Sequence, residues 1–99
     1  MTKKTTIDHI AIVVTDIAQA IRWYQNVFEV SVVYQDTTWA LLAFDNIHVA
    51  FVLPEQHPAH IAIKHPHAAT YGPLKQHRDH TQSVYIQDPF KNIIELVQS

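Results

Sequence analysis

The chain has 99 residues, 47% of them hydrophobic and 16% charged, with a formal net charge of −2 and no cysteine. That length supports one domain over 1–99; the missing thiols exclude a disulfide framework and a thiolate metal site. A near-neutral charge without a Lys/Arg cluster argues against a nucleic-acid footprint, and no apolar run reaches the length of a membrane span.

The opening Met1-Thr2-Lys3-Lys4-Thr5-Thr6 is basic and leads straight into a strand without the apolar stretch of a signal peptide, and with no cysteine a cytoplasmic setting is the default expectation. Thr6–Val14 alternates with period two: Ile7, His9, Ala11 and Val13 share one face, and Ile10, Ile12 and Val14 the other. Thr15 or Asp16 then caps a helix whose apolar stripe is Ile17, Ala20, Ile21, Tyr24 and Phe28. Strand-like runs follow at Val30–Gln35, Thr38–Phe44 and Ile47–Leu53, separated by the turn candidates Asp36-Thr37 and Asp45-Asn46. Pro54 stops the last of them. With a single glycine in the chain, the turns must rely on Asn, Asp and Pro.

His-Ile-Ala-Ile, first met at 9–12, returns at 60–63, which implies a second copy of one supersecondary unit. The first module, about 6–54, reads β-α-β-β-β. The second, about 59–98, offers only a weakly helical Ala68–Tyr71 before Gly72-Pro73, then strands at Gln82–Gln87 and Asn92–Gln98 joined by the turn 88–92. Its helix and one strand are expected to be shortened or lost.

Period-two bookkeeping gathers chemistry on the face away from the helix. His9 opposes Ile10 and Ile12, His60 opposes Ile61 and Ile63, and Glu95 shares its face with Ile93 and Val97. Two imidazoles and a carboxylate suit Fe²⁺, Zn²⁺, Mn²⁺ or Ni²⁺ and leave coordination positions open. A lone carboxylate in the apolar strand 92–97 would be costly if buried unpaired, and a cation removes that cost. The other histidines of the crowded 57–80 stretch flank prolines or loops.

Taken in order, Ile7-Asp8-His9-Ile10-Ala11-Ile12, Asp16–Tyr24 with Phe28, His60-Ile61-Ala62-Ile63 and Asp88-Pro89-x-x-Asn92-x-Ile94-Glu95-Leu96 resemble the vicinal oxygen chelate superfamily. That group holds glyoxalase I, methylmalonyl-CoA epimerase, extradiol dioxygenases, fosfomycin-resistance enzymes and bleomycin-resistance proteins. The resemblance implies an α+β fold in which paired βαβββ modules form a curled mixed sheet around a cup-shaped site. It also implies a homodimer and a divalent metal held by His9, His60 and Glu95. The metal would chelate adjacent oxygens of a small-molecule substrate in a lyase, isomerase or ring-cleaving dioxygenase reaction.

Tyr85 stands ten residues before Glu95, where extradiol dioxygenases carry a tyrosine, and His77, with His80 as a second candidate, stands near their upstream histidine. The likeness makes these three the catalytic candidates. Departures are also visible. Phe51 is the expected occupant of the place where glyoxalases and epimerases add a fourth ligand, and the chain ends too soon after Glu95 for the basic residues of fosfomycin-type members. The rival reading is a metal-free small-molecule-binding protein similar to bleomycin-resistance proteins, with Trp23, Trp39, Phe44, Phe51 and Tyr85 as its stacking residues.

Overall fold

The computed structural model describes residues 3–77 and 80–99. Among them are eight strands and one α-helix. They fall into two compact units: His9–Ala59, and His60–Ser99 together with the N-terminal residues through Asp8. No helix of the described residues is long and apolar enough to cross a membrane.

In the first unit β1 (Ile7–Val13, from His9 onward) is followed by α1 (Ile17–Val27), β2 (Ser31–Gln35), β3 (Trp39–Ala43) and β4 (His48–Val52). The strands lie in the order β2-β3-β4-β1, with β1 parallel to β4 and the other pairs antiparallel. The helix starts where a short acidic side chain can meet an orphan amide: the Asp16 carboxylate accepts from the Gln19 N–H at 3.0 Å. Such a cap contributes about 1 kcal/mol. It ends at Phe28, whose extended backbone breaks the helical run while its N–H still donates to the Tyr24 carbonyl. Ile17 and Ile21 of the expected stripe pack with Ala40, Leu42 and Phe51, and Ile12, Val14, Tyr24 and Val49 close around them. The Tyr24 ring lies 4.8 Å from that of Phe51.

That core corrects one face assignment. Phe51 belongs under the helix and not on the His9 face, so β4 is turned by one residue from the expectation. His48, Ala50 and Val52 pair with His9, Ala11 and Val13, and Ala11, Ala50 and Val52 form a second buried cluster with Leu41. The run Val49–Leu53 is apolar on both faces, so it offers no alternation from which to choose. Only packing decides, and the larger ring goes where the helix supplies most contact area.

In the second unit β5 (His60–His65), β6 (Lys75–Gln76), β7 (Gln82–Gln87) and β8 (Ile93–Gln98) lie in the order β5-β8-β7-β6, with β5 parallel to β8. The pairs β6–β7 and β7–β8 are antiparallel. A four-residue 3₁₀ turn, Ala68–Tyr71, stands where a long helix would, and β6 has two residues, so the shortening expected from the sequence is real. Ala68 is fully buried, and its N–H donates to the Gln98 side chain at 3.0 Å. Gly72 ends the turn at φ 150°, a conformation that side-chain-bearing residues rarely adopt. A Cβ there would sit 3.0 Å from Val84 Cγ2, so the chain's single glycine is required where it stands. One α-helix with two mixed four-stranded arrays makes the protein α+β, as the pattern predicts.

The turns use side chains in place of glycine. Asp36 accepts from the Tyr34 hydroxyl and from the amides of Thr38 and Trp39. Asp88 accepts from the amides of Phe90 and Asn92 and from the Asn92 side chain. These bonds to the ionised form hold both carboxyls below the ordinary carboxylate range, the Tyr34 and Asn92 side chains contributing most.

Candidate functional site

The polar interior of the second unit is built by strand register. His60 opens β5, and two residues on, Ala62 pairs with Glu95 of β8. On its other side Glu95 pairs with Tyr85 of β7, and Ser83 lies one alternation along the same face. Because β8 is flanked by β5 and β7, Glu95 has neighbours on both sides. Glu95, His60 and Ser83 are 5%, 7% and 1% exposed, the buried polar residues among those described.

A carboxylate so placed would cost several kcal/mol if nothing met it. Here Oε1 lies 3.0 Å from His60 Nε2, and Oε2 accepts from the Ser83 hydroxyl at 2.7 Å. His77 Nε2 comes within 3.3 Å of Oε2 and 2.6 Å of Ser83 Oγ. No buried side-chain nitrogen or oxygen among the described residues lacks a partner. The ring of Tyr85 meets that of His60 edge-on, centroids 5.2 Å apart. Burial first, and the Glu95 charge second, push the Tyr85 phenol above its ordinary range. Tyr85 therefore keeps its proton at neutral pH and can donate a hydrogen bond.

Of the six residues singled out from the sequence, this unit brings four together: His60, Glu95, Tyr85 and His77. His80, in the same unit, is exposed in the turn before β7 at φ 70°, its N–H donating to the His77 carbonyl. His9 lies in the other unit, half-buried on the β1 face away from α1, with His48 as its register partner on β4. His48 thus shares the face of His9. The matched registers locate the counterpart of Glu95 as well. Ala62 pairs with Glu95 in one unit and Ala11 with Ala50 in the other, so Ala50, not Phe51, holds the place of a fourth ligand. Ser83 is the buried polar residue beside Glu95 that the sequence reading did not single out. Its signal is the face it shares with Tyr85 beside a carboxylate-bearing strand.

The two tryptophans lie apart on the first unit. Trp39 stacks on Tyr34 with centroids 4.5 Å apart, and Trp23 is 56% exposed on α1 beside Tyr24 and Phe28.

Known structures share this fold at low identity. A hypothetical protein from Bacillus halodurans C-125 is 16% identical, with a TM-score of 0.79 over 98% of this chain and 96% of that one. Methylmalonyl-CoA epimerase from Mycobacterium tuberculosis is 18% identical, with a TM-score of 0.75 over 99% and 92%. A single-residue variant of the Streptomyces coelicolor methylmalonyl-CoA epimerase, in complex with 2-nitronate-propionyl-CoA, is 15% identical, with a TM-score of 0.78 over 98% and 96%. No curated protein matches the sequence significantly. Residues 6–78 match the family model, and the chain belongs to the Glyoxalase/Bleomycin resistance protein/Dioxygenase superfamily.

Proposed function

We propose that the protein is a small divalent-metal-dependent enzyme of this superfamily, with His9, His60 and Glu95 as its ligands. The observation that carries the reading is Glu95, a buried carboxylate 3.0 Å from an imidazole on the neighbouring strand. His9 joins the set by the duplication: it opens the same four-residue motif on β1 that His60 opens on β5. Two imidazole nitrogens and a carboxylate oxygen suit Fe²⁺, Zn²⁺, Mn²⁺ or Ni²⁺. When bound, such an ion supplies Lewis acidity to adjacent oxygens of a small substrate.

The chain's own groups supply the rest. Tyr85, kept protonated, donates a hydrogen bond to a substrate oxygen on which charge develops. An imidazole of the 77–80 segment, His77 or His80, carries the proton. Isomerisation by proton transfer beside a carbonyl is favoured over lyase or ring-cleaving chemistry, because the epimerases share the fold.

The test is calorimetric titration of chelator-treated protein with Zn²⁺, Mn²⁺, Ni²⁺ and, anaerobically, Fe²⁺. Wild type is expected to take about one ion per site and Glu95→Ala none, since losing the only carboxylate of a three-ligand set removes the site. Stoichiometric metal on Glu95→Ala defeats the assignment.

One observation favours the metal-free binding protein instead: among the described residues every buried side-chain nitrogen and oxygen has a hydrogen-bond partner within the protein. The same titration separates the two. Under that reading no first-row ion binds or raises the melting temperature of wild type.

A further inference from the structure

With Glu95 ionised, the hydrogen bonds around it have one consistent order. Ser83 carries one hydroxyl proton and spends it on Glu95 Oε2 at 2.7 Å. The 2.6 Å contact between Ser83 Oγ and His77 Nε2 must then be made with a proton from the imidazole. The same Nε2 also lies 3.3 Å from Glu95 Oε2. Oε2 is gripped from the β7 side, while Oε1 lies on the His60 side. Ser83 is 1% exposed on β7, which pairs with β8.

We propose that His77 and Ser83 form a donor relay that holds the Glu95 carboxylate by Oε2 and presents Oε1, beside His60, to the cation. His77 is then a positioning residue and not the base that meets the substrate. The relay deepens the metal-chelating reading above and rests on it for the cation. Its physical content is orientation: a Glu side chain has several rotatable bonds, and a donor fixed on one oxygen selects which oxygen is offered. The assignment also withdraws His77 Nε2 from proton transfer at the substrate, leaving His80 as the imidazole for that step.

Two measurements test the relay. In metal-free wild type, long-range ¹H–¹⁵N correlation of the histidine rings should show hydrogen on His77 Nε2; a bare Nε2 overturns the relay. In Zn²⁺ calorimetry, Ser83→Ala and His77→Leu should bind about 10- to 100-fold more weakly, while His77→Gln, which keeps a donor, stays within about threefold of wild type. Wild-type affinity in Ser83→Ala or His77→Leu overturns the proposal, as does a His77→Gln protein no better than His77→Leu. Should Ser83→Ala fail to fold, the two His77 variants decide, since that side chain is 24% exposed and tolerates replacement. A wild type that takes up no Zn²⁺ or other first-row ion defeats the chelation reading by itself, and the ring tautomer alone then judges the relay.

Discussion

The two units begin from the same four residues and bury different chemistry. Both clusters of buried apolar side chains found among the described residues lie in the helix-bearing unit. The buried polar side chains His60, Ser83 and Glu95 all lie in the other. Ile10 of the first copy is half-buried on the strand face whose Ile12 packs under α1, whereas its counterpart Ile61 in the second is 39% exposed above a face that carries only a 3₁₀ turn. A strand motif therefore fixes which residues share a face, and the element lying over that face decides whether burial stabilises. A repeated strand motif with a helix beside one copy and a 3₁₀ turn beside the other gives a copy that contributes packing and a copy that contributes polar groups.

Substitutions can break or sharpen this contrast. Phe51→Ala should produce the largest loss, about 3–5 kcal/mol, because the ring is fully buried under the helix. That is a large part of the roughly 5–15 kcal/mol stability of such a domain, so urea unfolding will show it plainly. A loss below about 1 kcal/mol would remove the helix-covered core from the account. The matched pair comes next. Ile10→Ala should cost about 2 kcal/mol and Ile61→Ala about 1 kcal/mol or less, though each is the second residue of the repeated motif. Equal losses would erase the distinction between the two copies.

Smaller effects come from the turns. Lys91 stands at φ 69° in the β7–β8 turn. Lys91→Gly should therefore stabilise by up to about 1 kcal/mol, since relief of left-handed crowding outweighs glycine's entropy loss. An unchanged or lower urea midpoint would refute that. The least effect concerns acid, with one carboxylate in each unit. Asp36 and Asp88 have folded-state pKa values lowered from 3.8. Their contribution is thus present above that pH and is lost as pH falls below it. Between about pH 6 and about pH 3 the urea midpoint should fall less in Asp36→Asn and in Asp88→Asn than in wild type. Falls as large as the wild type's in both would show that these turns do not sense acid.

Much of the local structure was legible in advance because it answers to local rules. β7 spans the expected Gln82–Gln87, Asp16 caps the helix, and the shortened second module follows from Gly72-Pro73 where a helix should run. The faces of β1 were readable because His9 stands among residues of opposite character. Those of β4 were not, because Val49–Leu53 is apolar on both sides and a one-residue turn of the strand leaves its hydrophobic pattern intact. For the candidate site, the pattern named His60 and Glu95 but did not name Ser83. A serine among strand residues carries no periodicity that marks it as a partner of a carboxylate twelve positions away.

Alternation, capping and the repeated motif, all carried by neighbours along the chain, set the element types, the α+β class and the residue types available for a metal. Which of those residues meet was decided by pairing between strands. Setting Ala62 and Tyr85 on either side of Glu95 brings an imidazole, a hydroxyl and a phenol to one buried carboxylate. Setting Ala50 opposite Ala11 leaves the matching place in the other copy without a ligand. Register is a long-range choice made by packing, and side chains that face each other across strands have no signature in linear order.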